Sequence, residues 1–359
     1  MSKVSEFTIL QQFVKEAKEN LPIESWDYLM GGAYTETTLR RNRQGLDELA
    51  FRPRVLNNVE HVDPSTELFG HKLRLPVLLA PIGSVQDFVE GGGTVSTRAA
   101  ARFGCFHMLS SVCSPYLEEV AKAVDYPKIF QLYVRGDADW VDDHIQRAIE
   151  AGYVAFCFTV DLDYYSFRER DMAKGHLSTS RKTQAVGESW QKRFCWDDIK
   201  RIRDKFDIPL ILKGIATAED ATRCVEAGID AVYVSNHGGR QLDHGRGGIE
   251  VLPEVVKAVN GKAKIIFDGG IMRGADLVKA MILGADCVGI GRLQGLAAAA
   301  GGEDGLVRML EIFEQETLAS LGMLGVIDWS QLDASYLHPA PEIHPSHVLS
   351  SFPLLEEGY

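Results

Sequence analysis

The sequence predicts an α/β fold, a (β/α)8 TIM barrel, on three observations. Short apolar runs recur eight times from residue 75 onward, each ending in a polar residue or glycine. Helix-like amphipathic stretches separate them, as in ATAEDATRCVEAGI (216–229) and RGADLVKAMILGA (273–285). The first run ends LAPIGSVQD, without the G-x-G-x-x-G that a doubly wound open sheet, the competing fold, usually shows there. Continuous apolar strands alternating with helices mean parallel strands buried on both faces, and eight such units close a barrel.

The elements follow in order. Residues 1–70 read as one or two helices and a short hairpin that cap the barrel. The barrel occupies 71–320 of a single α/β domain spanning 1–359. Its strands are LPVLLAP (75–81), FHMLSS (106–111), KIFQLYV (128–134), YVAFCFTVD (153–161), IPLILKG (208–214), AVYVSN (231–236), KIIFDGG (264–270) and CVGIGR (287–292). Between the fourth and fifth, residues 164–207 are long and polar, the pattern of an active-site lid. A final helix is placed at about 302–320, and 321–359, with HPAPEIHPSH, reads as an extended tail.

Bulk properties exclude several functions. A net charge of −12 argues against a general nucleic-acid-binding field, while leaving room for a local cationic pocket. The six cysteines form no C-x-x-C pair, which fits free thiols in a reducing, cytoplasmic setting. The amphipathic start MSKVSEFTILQQ has no signal-peptide core. No run of about 18 apolar residues suggests a membrane span. Nothing points to a metal.

In a barrel, chemistry sits where strands end. Those positions hold Gln131 and Tyr133, then Thr159 and Asp161, then Lys213, then Ser235, His237 and Arg240, then Asp268, Gly269 and Gly270, and finally Gly291 and Arg292. FDGG and GIGR suggest a phosphate cradle, with Arg292 and Arg273 as supporting charge. Lys213, ending an apolar strand, is either a fixed cation or a Schiff-base amine. A neutral His237 can take a proton, and Arg240 can fork onto a carboxylate. Base plus carboxylate anchor describes chemistry at the carbon next to a carboxylate. Asp161 is placed to orient the imidazole.

SNHGGRQLD (235–243), with FQLYV, TVD, LKG, FDGG and GADCVGIGR in the same order, resembles the FMN-dependent α-hydroxy acid oxidase/dehydrogenase family from about residue 8 to 320. The resemblance implies oxidation of an L-2-hydroxy acid to the 2-oxo acid, with electrons passed through FMN to oxygen or a diffusible acceptor. It implies His237 as the base and Asp161 as its partner. Arg168 and Arg240 would hold the carboxylate, with Tyr133 and Tyr28 at the substrate and Lys213 beside the flavin. Pro81, Ile82, Gly83, Ser110, Gln131, Thr159 and Ser235 would line the FMN. Asp268, Gly269, Gly270, Gly291 and Arg292 would lie at its phosphate end. A homo-oligomer, tetramer or octamer, is implied as well.

Four departures stand out. In DGGIMRG, Met272 replaces an arginine expected at the phosphate, leaving Arg273 to compensate. TVDLDYYSFR lacks the family's proline and glycine and adds Tyr164, Tyr165 and Phe167. Val112 stands in place of a tryptophan, predicting a substrate side chain larger than that of glycolate, unless Tyr165 refills the space. Gly83 stands in place of an alanine, predicting open room beside the flavin. The alternatives are a non-redox phosphate-binding barrel (aldolase or isomerase) and an inactive FMN-binding relative.

Overall fold

A computed structural model describes residues 3–359. Three helices open it: α1 (Gln11–Asn20), α2 (Ile23–Met30) and α3 (Thr37–Asp47), one more than the sequence suggests. A short strand β1 (Leu49–Phe51) follows, and then a hairpin of β2 (Thr66–Leu68) and β3 (His71–Leu73). Its turn residues Phe69 and Gly70 both have positive φ (50° and 75°), the tight turn that matches strand twist. The boundary placed at 70/71 therefore falls inside this turn.

The eight predicted strands form as β4 (Val77–Leu79), β5 (Phe106–Ser110), β6 (Ile129–Leu132), β7 (Ala155–Thr159), β8 (Leu210–Ile215), β9 (Ala231–Val234), β10 (Lys264–Phe267) and β11 (Cys287–Ile290). All neighbours are parallel, and β11 pairs with β4 to close the barrel. Alternate residues explain the apolar runs. Leu78, Phe106, Met108, Ile129, Cys157, Ile211, Tyr233 and Ile266 fill the interior. Val77, Leu79, Leu109, Phe130, Phe156, Val232 and Phe267 belong to the separate cluster that faces the helices. Leu68 and Leu73 of the hairpin join the interior cluster, so β2–β3 plugs the end from which the strands start.

Residues 292–324 are two helices joined across the non-helical Gly301 and Gly302, so the last one begins just after 302, where the sequence places it, and runs on to Leu324. A Cβ on Gly301 would lie 2.6 Å from Val4 Cγ1, so the break lets the N-terminal turn dock. The tail is more structured than an extended chain. Strand β12 (Leu337–Pro339) pairs antiparallel with β1, and Phe352 is buried in the core. The polar segment after β7 folds into short helices, Glu169–Ala173, Thr179–Ala185 and Glu188–Arg193. Among the described residues no helix is long and apolar enough to cross a membrane.

Candidate active site

The end of β9 explains why the chain reads His-Gly-Gly. His237, Gly238 and Gly239 are all left-handed, with φ of 59°, 63° and 75°. A side chain on Gly239 would meet the backbone of Leu39 at 2.5 Å, and one on Gly238 would meet Arg292 at 2.8 Å. His237 has no such excuse, and an L-residue there costs about 1–2 kcal/mol. Its backbone N–H donates to Ser235 Oγ at 3.0 Å, which helps fix the turn.

The imidazole is held from both sides. Nδ1 lies 3.0 Å from Asp161 Oδ1 and Nε2 lies 3.3 Å from the Tyr133 hydroxyl. An ionised carboxylate only accepts, so Nδ1 carries the proton and Nε2 presents a lone pair. Burial is the main cause that holds His237 below its ordinary 6.5, outweighing the opposing pull of Asp161. Burial alone would raise Asp161, but the charges of His237 and Lys213 leave it lowered. Burial, and then Asp161, push the Tyr133 phenol up, so it stays a donor. The pair needs Gly214: a Cβ there would lie 2.7 Å from Asp161 Cβ, at a φ of +113°.

Three guanidinium groups converge beside this pair. Arg240 donates to the carbonyls of Tyr28 (2.6 Å) and Gly31 (2.9 Å) and stacks 4.7 Å from the Tyr28 ring. Arg292 donates to the carbonyls of Gly238 and Gly31. Arg168 donates to Gln241 Oε1 and lies over the Tyr165 ring at 4.4 Å. No ion pair reaches any of the three among the described residues. Burial, and then the neighbouring charge of Arg240, pull Arg292 down to about 9. A guanidinium does not surrender its proton in practice, so Arg292 stays a buried charge that an anion would satisfy.

Lys213 is buried, donates to Ser235 Oγ at 2.8 Å and lies 3.6 Å from Asp268 Oδ2. Burial would lower it, but Asp268 and Asp161 outweigh that and keep it an ammonium. One cavity joins these groups, with about 1140 Å³ of protein-free space including its mouth. Tyr28, Pro81, Ile82, Gly83, Tyr133, Arg168, Lys213, His237, Arg240, Asp268, Gly269, Gly270, Gly291 and Arg292 all line it. Ser110, Gln131, Thr159 and Ser235 do not. They are buried at the strand ends, where Gln131 Nε2 donates to Thr159 Oγ1 at 2.8 Å.

A family model described as FMN-dependent dehydrogenase matches residues 17–339. The chain belongs to that family. It is 35% identical to an L-lactate oxidase of Nostoc sp. (strain PCC 7120 / SAG 25.82 / UTEX 2576), covering 94% of this chain and all of that protein. A 4-hydroxymandelate oxidase of Amycolatopsis orientalis is 36% identical over 89% of this chain and 95% of its own. The crystal structure of a mandelate oxidase superposes with a TM-score of 0.87 at 35% identity, over 94% of this chain and 100% of that one.

FMN is the cofactor of this dehydrogenase family, and the cavity suits it. Arg292 Nε, on the cavity wall, is buried without a partner, as a group awaiting a ligand would be. A Cβ on Gly291 would meet nothing within 4 Å, so that glycine keeps cavity space open. Pro81, Ile82 and Gly83 would line one wall, with Asp268, Gly269 and Gly270 at the far end.

Two sequence expectations fail here. Arg273 does not line the cavity: its guanidinium pairs with Glu316 at 2.8 Å and lies 5.7 Å from the Phe352 ring. Met272 faces the cavity instead. Nor does Gly83 leave open room, because Val112 and Ser180 already stand 2.7 and 2.9 Å from where its Cβ would be. Val112 itself is off the wall, buried with Tyr133 and Leu162, and Tyr165 packs against this group.

Sequence reading missed the residues that tie loops together. Gln241 donates to the carbonyls of Asp161 and Tyr164 while accepting from Arg168, coupling the loops after β7 and β9. Asp243 accepts from Thr35 and Thr38 at the start of α3, bonds that pull it down to about 2 against the effect of burial. The lid segment docks through Thr179 on Asp87 and Ser180 N–H on Ser84, and Ser180 Oγ meets the Tyr28 hydroxyl at 2.9 Å. Only Gln241 and Asp243 had a signal, their place within SNHGGRQLD.

Proposed function

We propose that this chain oxidises an L-2-hydroxy acid, with a side chain larger than that of glycolate, to the 2-oxo acid. The observation that carries this reading is the juxtaposition of a neutral His237, proton-free at Nε2, with the unpaired guanidiniums of Arg168 and Arg240 on one cavity wall. The arginines bind the carboxylate and so orient the α-carbon. Nε2 of His237 takes the hydroxyl proton, with the Tyr133 phenol donating to the same oxygen. Asp161 steadies the imidazolium that forms. FMN, when bound, accepts the two electrons that leave with the α-hydrogen. The Lys213 ammonium offsets the negative charge that accumulates beside it.

Leu162, Phe88 and Tyr165 supply an apolar wall for the substrate side chain, which supports an aliphatic or aromatic group. Mandelate and lactate oxidases among the relatives agree with that range. The protonated state of Lys213 counts against a Schiff-base aldolase, which needs a free amine. Bound FMN would pass its electrons on to oxygen or a diffusible carrier; the family resemblance supports an assembly of several copies, and six cysteines without a C-x-x-C pair support a reducing, cytoplasmic setting.

The visible spectrum of the purified protein, recorded without oxygen as single 2-hydroxy acids are added, tests this reading. Flavin bands that bleach with lactate or mandelate are expected. A colourless protein that takes up no added FMN, or a clear preference for glycolate over all larger acids, contradicts the corresponding part.

A further inference from the structure

Residues 340–359 lie beyond the segment that matches the family, yet they reach its cavity. After β12 the chain turns back: the Ala340 N–H donates to the Glu48 carbonyl, and Ser346 Oγ donates to Asp47 Oδ2 at 2.9 Å. Ser350 Oγ reaches the same carboxylate oxygen at 3.4 Å. Phe352 then buries itself in the core, with the Arg273 guanidinium 5.7 Å from its ring and 3.5 Å from the Ser351 carbonyl. Between these anchors Val348 forms part of the cavity wall, with Ile271 and Met272.

At that end two arginines near the glycines of 268–270 are already paired, which leaves Arg292 as the unpaired guanidinium. Arg43 lines it but is ion-paired to both Asp47 (2.9 Å) and Asp276 (2.8 Å). Asp47 thereby links the tail to Arg43, whose Nη1 also donates to the Gly270 carbonyl at 2.9 Å. The arginine that could have pointed inward, Arg273, is spent on Glu316 and the tail.

We propose that residues 346–352 are a strap that closes the glycine-lined end of the FMN cavity and makes Val348 part of the cofactor's seat. This rests on FMN filling the cavity with its phosphate toward Gly269 and Gly270. A strap of this kind adds an apolar lid to the charge that Arg292 supplies: it slows cofactor loss by covering that end of the cavity. FMN and the docked strap should then stabilise each other reciprocally.

The test titrates flavin-free protein with FMN and with riboflavin, which lacks the phosphate, following flavin fluorescence. Val348 is half-buried, so charged replacements there are compatible with folding. Val348→Asp should weaken FMN about tenfold through like-charge repulsion, and riboflavin by less than about twofold. Val348→Lys should tighten FMN and leave riboflavin unchanged. Unchanged FMN affinity in both variants, or equal shifts for the two flavins, overturns the strap. Hydrogen exchange of amides 346–352 in the unaltered protein gives a second reading: slowing on addition of FMN is expected, and exchange indifferent to FMN also overturns it. Wild-type protein that binds neither flavin would instead bring down the FMN reading beneath it.

Discussion

The two ends of the barrel are built from the same eight strands and share almost nothing else. At the end where strands begin, Leu68 and Leu73 of the hairpin close over Phe106, Ile129 and Ile266, and the plug is apolar. At the other end stand His237, Asp161, Lys213, Asp268 and three guanidiniums, and two of these, Asp161 and Arg292, keep a buried atom that lacks a partner. Parallel strands all exit on one side, so every polar residue at a strand end reaches the same mouth. One end can therefore be optimised for packing, while the other tolerates the strain and unmet polarity that a ligand will satisfy.

Substitutions at the two ends should separate activity from stability. The largest effect belongs to His237→Gln, which keeps the size and removes the base. Turnover should fall about 10³-fold, with the unfolding midpoint little changed. Comparable turnover by the variant would remove His237 from the chemistry. At the opposite end, Leu73→Ala should cost about 2–5 kcal/mol of stability through the cavity it leaves. Denaturant titration reads that loss, and turnover per folded molecule should not change. If Leu73→Ala alters turnover with stability intact, the division between the ends is wrong.

Asp161→Asn gives a smaller and more diagnostic effect, about 10²-fold in turnover. His237 acts as a base only when neutral, so activity should rise with pH across a limb centred below its ordinary 6.5. The Asp161 charge pulls His237 upward, so its removal should move that limb to still lower pH. A limb that moves toward higher pH would mean that Asp161 does not face the imidazolium.

The barrel was legible because strands buried on both faces must be continuous apolar runs, and each of these eight ends at a polar residue or glycine that marks its limit. The His-Gly-Gly segment of the candidate site was legible for a related reason: His237, Gly238 and Gly239 share one left-handed turn, so the motif is local. Arg273 misled because sequence places it beside the glycines of 268–270 without saying which way its side chain leaves the helix start. Glu316, 43 residues downstream (316 − 273), decides that. Gly83 misled because an absent methyl looks like empty space until Val112 and Ser180 are seen to fill it. The tail was read as extended because its few apolar residues, Val348 and Phe352 among them, have no periodicity, and their partners lie in distant parts of the chain.

By itself, then, the sequence determined the parallel barrel, the side on which its chemistry gathers, and the residue types available for proton transfer and anion binding. Those follow from periodicity and from turns a few residues long. Tertiary structure alone decided which arginines stay unpaired, what fills the space beside Gly83, and that the last residues of the chain reach the glycine-lined end of the cavity. Each of these depends on contacts between segments far apart in sequence, where a guanidinium or a valine is committed by whichever partner the fold brings to it.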